Sequence, residues 1–329
     1  MTDSWILGQN PVPIDEFMRR ALHDPKFGYY GRRIQSLGRR GDFTTVPMRG
    51  RSLARVVAAW VLAALRECAC RDLIELGPGE GRLAADVWQQ LPWWVRWRSR
   101  LHLVETSAPL REIQRNHPAL RHAIWHDSPA AAMKACAGRA VIFSNELVDA
   151  FPARVFVKAE DRWDEMAVMR DSSGRILERA LNCPNLPDSS SFVRRYPVGQ
   201  RVEVHESYQQ WLAQWMPSWR AGRLLTIDYG GPAESLYHRR PRGSLRAYLM
   251  HQRLEGMDVY EHAGGQDITA DVNFSDLEAW SRPWVSESRM GTLSEFAAKW
   301  NASGSSCPVL SGEGAGDSFW TLDQKCRGS

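Results

Sequence analysis

The chain has 329 residues, of which 43% are hydrophobic, and a formal net charge of +4. This length and composition suffice to bury a full hydrophobic core, which argues against a peptide or a scaffold protein. No apolar run approaches the roughly 18 to 20 residues that a membrane-spanning helix needs, so we expect a soluble protein without a membrane span. The net charge is small for this mass, and by itself it gives no support to nucleic-acid binding.

The amino terminus and the cysteines bear on location and on metal binding. Residues 1–15 carry acids and prolines instead of a basic region followed by an apolar one. Neither a secretory signal nor a transit peptide fits this composition, so we expect a cytoplasmic protein. The six cysteines lack the paired Cys-x-x-Cys spacing of zinc sites and the density of a disulfide framework. We therefore expect reduced thiols and no metal site.

Residues 1–70 are predicted to form a helical amino-terminal cover. Apolar residues at helical spacing favour helices at Ile14–Leu22 and Leu53–Cys68. A cluster of seven arginines falls within 24 residues of this region, at positions 32, 33, 39, 40, 49, 51 and 55. Such a cluster fits a solvated surface, and it also fits contact with an anionic partner or cofactor.

Residues 71–152 alternate between strands and helices. The predicted strands are Asp72–Leu76, Leu101–Glu105, a short segment near Ala123, and Ala140–Ser144. The predicted helices begin near Arg82 and cover Pro109–Arg115 and Pro129–Cys136. Alternation of this kind predicts an α/β fold with a parallel, doubly wound, Rossmann-like sheet.

The alternation breaks at residues 153–222, which we interpret as an insertion. Ala153–Val168 and Ile176–Leu181 have the pattern of hairpin strands, and a tryptophan-rich helix is predicted at Tyr208–Trp219. The tryptophans of this helix recur every four residues, at 211, 215 and 219. One buried helix face explains this spacing better than base stacking does.

Residues 223–329 are expected to complete the sheet. Arg223–Tyr229 reads as a buried strand, and a last strand is predicted around Phe319–Leu322. Between them, residues 230–272 show little periodicity and are interpreted as a long connection that forms a substrate-side insertion. Residues 303–316 are rich in Gly and Ser and are expected to be a loose segment.

The first predicted strand of the sheet runs into the sequence Glu75-Leu-Gly-Pro-Gly-Glu-Gly81. Glycines at 77, 79 and 81, with Pro78 between the first two, let backbone amides approach a ligand at the start of a helix. The spacing differs from the Gly-x-Gly-x-x-Gly of dinucleotide-binding proteins, in which a helix terminus receives a pyrophosphate. S-adenosylmethionine has no phosphate, and its ammonium group suits the carboxylate of Glu75. The motif therefore favours S-adenosylmethionine over NAD.

Two further acids follow the next strands of the predicted sheet. Glu105, followed by Thr106, ends the second strand, where an acid is expected to hold the ribose hydroxyls of a nucleotide. Asp127 follows the third strand and suits either the adenine amino group or helix capping, and Ser128 is a second candidate cap. Together with the glycine motif, these residues predict a class I S-adenosylmethionine-dependent methyltransferase.

The acceptor of the methyl group is expected beyond the fourth strand, where the chain reads Ser144-Asn-Glu-Leu-Val-Asp-Ala-Phe-Pro152. Asn145, Glu146 and Asp149 lie at the carboxyl end of a buried strand, where ligands bind in such sheets. One interpretation is that Asn145 caps a helical turn whose positive end the two acids favour. The other is that these residues are catalytic and that their carboxylates grip a cationic acceptor such as a guanidinium.

Several motifs resemble the MidA family, which includes a mitochondrial complex I assembly factor that methylates a protein arginine. The shared motifs are His23-Asp-Pro-Lys-Phe-Gly-Tyr-Tyr30, Gly41-Asp-Phe-Thr-Thr45, the Glu75 glycine motif, Val104-Glu-Thr-Ser107, Trp125-His-Asp-Ser128, Asn145-Glu-Leu-Val-Asp-Ala-Phe-Pro152, Ile227-Asp-Tyr-Gly230 and Asp267-Ile-Thr-Ala-Asp-Val-Asn-Phe274. The resemblance implies S-adenosylmethionine as cofactor, Gly41, Asp42 and Phe43 over that cofactor, and Asn145 beside it. It also implies an arginine acceptor in a protein such as a complex I subunit, and it leaves a homodimer open.

Two other functions remain open at this point. A nucleic-acid or small-molecule methyltransferase has the basic cluster at residues 32–55 as its only support in the sequence. A non-catalytic assembly factor could retain the same fold as a binding module, because a fold does not fix a function.

Overall fold

The structure is a computed structural model that describes residues 5–33, 51–250, 252–301 and 316–328. The predicted cofactor residues Gly41, Asp42 and Phe43 and most of the expected loose segment lie outside these residues. The helices are α1 (Ile14–His23), α2 (Ser52–Glu67), α3 (Arg82–Gln90), α4 (Trp93–Arg98), α5 (Ala108–Arg115), α6 (Pro129–Ala135), α7 (Glu206–Trp215), α8 (Ala233–Leu236), α9 (Phe274–Ser281) and α10 (Leu293–Trp300).

The strands form three sheets. They are β1 (Val12–Pro13), β2 (Asp72–Leu76), β3 (Arg100–Val104), β4 (Ile124–His126), β5 (Ala140–Asn145), β6 (Arg154–Lys158), β7 (Trp163–Arg170), β8 (Ile176–Asn182), β9 (Arg201–Val204), β10 (Arg223–Gly231), β11 (Arg246–Leu249), β12 (Gln252–Glu255), β13 (Asp267–Thr269), β14 (Val272–Asn273), β15 (Val285–Thr292) and β16 (Phe319–Cys326).

The central sheet has the order β15-β16-β10-β5-β2-β3-β4, and β14 pairs with the end of β10. Strands β4, β3, β2, β5 and β10 are parallel, and β16 runs antiparallel to both β10 and β15. Strand β2, the first strand of this sheet along the chain, thus lies in the middle of the five parallel strands, and the order reverses on either side of it. The predicted doubly wound α/β fold is confirmed.

Helices cover both faces of this sheet because successive strand residues point to opposite sides. On one face, Leu73, Val141 and Leu225 pack in a cluster with apolar residues of α2, α3 and α10. On the other, their neighbours Ile74 and Ile142 pack with residues of α6, α7 and α9. Two apolar residues in succession on each strand are what a sheet buried on both faces requires.

The second sheet is antiparallel, in the order β1-β7-β6-β9 with β8 beside β7, and it contains the predicted hairpin strands. Helix α1 packs on it through Ile14, Phe17 and Met18, which share a cluster with Val155 and Val168. The amino-terminal segment and the inserted strands therefore form one layer.

Three predictions about local structure are wrong, and they concern residues 230–272, the end of the tryptophan-rich helix and the burial of Trp211. Residues 230–272 contain α8 and the strands β11 to β14, whose two to four residues are too short to show a period. Helix α7 ends at Trp215 instead of Trp219, because Pro217 cannot continue an α-helix. Trp215 and Trp219 are buried as expected, but Trp211 is only partly buried. Helix α4 and strand β9 were not predicted.

In the part of the chain that the structure describes, no helix combines the length and apolarity needed to cross a membrane. The division of the chain at residues 70, 152 and 222 stays a prediction.

Candidate active site

A cavity of about 480 Å³ lies at the carboxyl ends of the central parallel strands. It is lined by the ends of β2, β3, β4 and β5, which is where ligands bind in open α/β sheets. The predicted site residues along its wall are Glu75, Gly77, Pro78, Gly79, Glu105, Thr106, Asp127, Ser128, Asn145 and Glu146. Gly81 and Asp149 are not part of the wall. Gly41, Asp42 and Phe43 lie outside the described residues.

The glycine turn between β2 and α3 forms the floor of the cavity. Gly77, Gly79 and Gly81 have φ values of +62°, +57° and +81°, a region that other L-residues rarely adopt. A Cβ added at Gly77 would lie 2.6 Å from Leu147 Cδ1, and one added at Gly81 would lie 2.7 Å from Leu120 Cδ1. Gly81 therefore serves the packing behind the cavity instead of its wall.

Gln114 of α5 fixes this turn from behind. Its Nε2 donates to the carbonyl oxygen of Gly79 at 2.6 Å, and its Oε1 accepts from Trp125 Nε1 at 2.9 Å. The side chain is fully buried. Sequence reasoning missed Gln114, because a single Gln in a predicted helix looks like an ordinary surface residue.

Glu75 at the end of β2 is a buried carboxyl with an unused oxygen. Burial raises its pKa to about 8, the nearby Glu105 adds to the shift, and the backbone N–H of Ala84 opposes it. Glu75 Oε2 and Asn145 Oδ1 have no hydrogen-bond partner among the described residues. Unsatisfied buried acceptors are costly, so a cationic or N–H-rich ligand in the cavity would stabilise both. An ammonium group such as that of S-adenosylmethionine fits this arrangement.

Glu105 lies at the end of β3 and is held in place by backbone groups. Its Oε1 accepts from the N–H of Ser107 at 2.8 Å, and burial raises its pKa. Arg111 Nε donates to the Glu105 carbonyl oxygen at 2.6 Å, and its guanidinium also contacts Asp127. Ser128 Oγ accepts from the N–H of Ala131 at 3.3 Å, so Ser128 caps α6 as predicted. The capping alternative for Asp127 is not observed.

The turn after β5 holds Glu146 in an unusual backbone conformation. Its φ is +50°, which costs a non-glycine residue on the order of 1 kcal/mol. Asn145 Nδ2 donates to Glu146 Oε1 at 2.9 Å. Because Asn145 Oδ1 accepts from no described group, the interpretation of Asn145 as a helix cap is not supported.

Asp228, which lies in β10 one residue past the part paired with β5, stabilises this turn instead. Its Oδ2 accepts from the N–H groups of Leu147 at 3.1 Å and Val148 at 2.8 Å. The carboxyl is fully buried, and burial raises its pKa to about 7. Sequence reasoning did not select Asp228, although it lies near the end of a predicted buried strand, in the motif Ile227-Asp-Tyr-Gly230. Its position near the end of the next parallel strand was the available signal.

Asp149 lies behind the cavity wall. Burial raises its pKa well above the usual range, and the buried Asp228 and Asp267 add to the shift. Arg246 of β11 lies near this group and forms an ion pair with Asp271. Asp149 thus belongs to a buried cluster of acids around one arginine.

The outer wall of the cavity comes from segments that are distant in the chain. His23 ends α1 and Tyr30 lies after it, and their rings stack with centroids 5.5 Å apart. The Tyr30 hydroxyl donates to Asp267 Oδ1 at 2.9 Å. Trp211 and Gln214 of α7 enter from the insertion. None of these four residues was predicted for the site by reasoning from residue type and spacing.

Comparison with known proteins agrees with the expected family and cofactor. Residues 56–286 match the family described as "Putative S-adenosyl-L-methionine-dependent methyltransferase". The chain is 28% identical over 307 residues to "Protein arginine methyltransferase NDUFAF7, mitochondrial" of Danio rerio, covering 83% of this chain and 69% of the relative. It is 27% identical over 307 residues to the Drosophila melanogaster homolog of that protein, covering 82% and 66%.

A solved structure shows the same fold. The Burkholderia thailandensis protein bound to S-adenosylhomocysteine superposes with a TM-score of 0.84 at 24% identity, over 96% of this chain and 88% of that one.

The named relatives also correct one prediction. They are mitochondrial proteins by name, which contradicts the expected cytoplasmic location. The expected resemblance and cofactor are confirmed by the family match and the named relatives. This chain belongs to the family of S-adenosyl-L-methionine-dependent methyltransferases, with a class I methyltransferase fold and S-adenosylmethionine as its cofactor.

Proposed function

We propose that this enzyme methylates the guanidinium group of an arginine in a protein substrate. The observation that carries the proposal is Glu146, an acid that lines the cofactor cavity in a left-handed conformation beside Asn145. The names of the relatives support a protein arginine as the acceptor. The MidA resemblance supports a complex I subunit as the substrate. A homodimer stays a prediction that analytical ultracentrifugation tests.

We assign the cofactor contacts to the residues around the glycine turn. Glu75 and Asn145 present unused acceptors for the methionyl ammonium, and Glu105 with Thr106 lies where the ribose hydroxyls are expected. Asp127 and Ser128 lie at the adenine end, and Gly41, Asp42 and Phe43 are proposed to cover the cofactor. Bound S-adenosylmethionine supplies an electrophilic methyl group on its sulfonium.

The residues of the acceptor side would mainly position the nucleophile, as in-line displacement requires. A guanidinium paired with the Glu146 carboxylate would be held in one plane, because the two groups match in geometry. The rings of Tyr30 and Phe151 line the same cavity and suit a planar cation. Methylation of a guanidinium nitrogen releases one proton, for which the Glu146 carboxylate is the proposed acceptor. Asp149, which lies behind the wall, is proposed to orient the turn.

The test measures the transfer of labelled methyl groups from S-adenosylmethionine to arginine-containing peptides of candidate complex I subunits. Amino-acid analysis of the product then identifies the methylated residue. Single alanine variants of Asn145, Glu146 and Asp149 are compared with Glu146→Gln, which keeps the shape and removes the charge. We expect Glu146→Gln to lower turnover by about a hundredfold. Its affinity for S-adenosylmethionine, measured by calorimetry, should stay within about twofold.

Two results would contradict the proposal. Unchanged turnover in the Glu146 variants, with normal cofactor binding, would remove Glu146 from the acceptor site. Cofactor binding without methylation of any arginine peptide would favour a non-catalytic assembly factor, or a methyltransferase that acts on another class of molecule.

A further inference from the structure

Helix α4 exposes three tryptophans. Trp93 is 74% exposed, Trp94 is 40% exposed and Trp97 is 78% exposed, whereas Val95 between them is buried. Trp93 and Trp97 are four residues apart and therefore lie on the same face of the helix. Large apolar side chains grouped on an exposed surface mark an interaction site more often than scattered ones do.

Arginines surround these rings. Arg96 and Arg98 are exposed on the same helix, and the Arg66 guanidinium lies 5.5 Å from the ring centroid of Trp94. The sequence contains no acid between Asp86 and Glu105. We call the set of Arg66, Trp93, Trp94, Arg96, Trp97 and Arg98 the tryptophan–arginine surface.

This surface continues onto the amino-terminal edge of the central sheet. In the register of the parallel strands, Arg100 lies beside Asp72, and Ala140 lies on the other side of Asp72. The exposed residues Arg71 and Arg139 directly precede these positions. The acids at this edge are already paired, since Asp72 binds Arg100 at 2.6 Å and Glu67 binds Lys325 at 2.8 Å. Among the described residues around α4, the exposed charge that remains is positive.

We propose that the tryptophan–arginine surface binds the headgroup region of an anionic lipid bilayer. Tryptophan has an apolar ring with one polar N–H and is favoured at the boundary between water and hydrocarbon. Arginines beside it are attracted to anionic headgroups, and the same combination occurs on amphipathic helices that lie on membranes. The rings of Trp93 and Trp97 are about three-quarters exposed, so they are not enclosed in a groove and would be able to enter the headgroup region of a bilayer.

Binding at this edge would fix the direction of the active site. The cofactor cavity lies at the carboxyl ends of the strands, and the tryptophan–arginine surface lies at their amino ends. The mouth of the cavity would then face the aqueous phase, where the substrate approaches.

The test is flotation of the full-length protein with vesicles of phosphatidylcholine alone or mixed with phosphatidylglycerol. We expect the partition coefficient to be at least about tenfold higher for the anionic vesicles and to fall with added salt. The Arg96→Gln/Arg98→Gln variant should have a partition coefficient that is lower by about fivefold for each arginine removed. Trp93→Ala/Trp97→Ala should abolish binding, whereas Trp93→Phe/Trp97→Phe should retain most of it. Quenching of wild-type fluorescence by brominated acyl chains should report the insertion.

The control is Val193→Ala/Val198→Ala, which removes two side chains that are 86% and 66% exposed elsewhere. Calorimetry of S-adenosylmethionine binding verifies that each variant is folded. Equal binding to both vesicle types, or an equal loss in the valine control, would overturn the proposal. Self-association of the protein that the Trp93→Ala/Trp97→Ala variant abolishes would also overturn the proposal. Binding of an RNA oligonucleotide without binding of vesicles would overturn it as well.

Discussion

The two ends of strand β2 carry acids of opposite character. Asp72 begins the strand, and although burial alone would raise its pKa, hydrogen bonds with His102 and Arg100 outweigh burial and lower it. Glu75 lies three residues later, has no partner at Oε2 among the residues that the structure describes, and has its pKa raised to about 8 by burial. Asp72 serves the fold and is paired within the protein, whereas Glu75 faces the cavity with one oxygen left for a ligand. This difference distinguishes a site acid from a structural one.

The glycine turn beside Glu75 should give the largest effect. Gly77→Ala places a Cβ against the side chain of Leu147 in a left-handed conformation, so we expect affinity for S-adenosylmethionine to fall by about a hundredfold. Gly174→Ala is the matched control, because Gly174 has a similar φ of +84° and no atom of the described residues within 4 Å of its Cβ position. The control should lose only about 1 kcal/mol of stability and bind normally. Calorimetry measures the affinity of each variant for S-adenosylmethionine. Equal losses of affinity in the two variants would mean that backbone strain alone disturbs the cavity.

The second prediction concerns the pH dependence of cofactor binding. An ammonium ligand binds the ionised form of Glu75, whose pKa is about 8 in the free protein. Affinity should therefore rise about tenfold per pH unit below pH 8. Because the pKa is raised from 4.5, the free energy of unfolding of the free protein should fall as pH rises from 4.5 to about 8.

Two variants at the ends of β2 test this assignment. Glu75→Gln should remove the pH dependence of binding, whereas Asp72→Asn should leave it unchanged. Calorimetry in buffers of different ionisation enthalpy would count the proton released when the cofactor binds. A flat profile in the wild type would show that Glu75 does not face the ammonium group.

The smallest effect is expected at the opposite edge of the sheet. Trp93→Ala/Trp97→Ala removes two exposed rings, so the free energy of unfolding should change by no more than about 0.5 kcal/mol. Cofactor affinity should not change, because both residues lie outside the cavity wall. Urea unfolding and calorimetry measure the two quantities. A loss above 1 kcal/mol, on the order of a core substitution, would mean that these rings are part of the packing.

The sequence could predict the parts of the cavity wall that one strand end and its turn specify. Glu75, Glu105 and Asn145 lie at the ends of predicted parallel strands, with the glycines in the turn after the first strand, and the ends of parallel strands meet at one edge. The fold class was accessible for the same reason, since alternating strands and helices favour one sheet topology. These features depend on residues that are near one another in the chain.

The remaining features depend on contacts between distant segments. Gln114 supports Gly79, Asp228 supports the turn of Glu146, and Tyr30 contacts Asp267, and none of these pairs is visible as a local pattern. The short strands of residues 230–272 owe their pairing to neighbours and not to their own periodicity. Trp211 looked like part of a buried stripe, because helical spacing alone cannot show that one member of the stripe faces a cavity.

The position of α7 has a consequence for the kinetics of folding. The cavity is complete only when Trp211 and Gln214 meet the glycine turn and the amino-terminal Tyr30, which are far apart in sequence. Contacts of high sequence separation form slowly, since chain closure must precede them. Competence to bind the cofactor should therefore appear in a late phase of refolding, after most of the central sheet has formed, and added cofactor would trap the chain only at that stage.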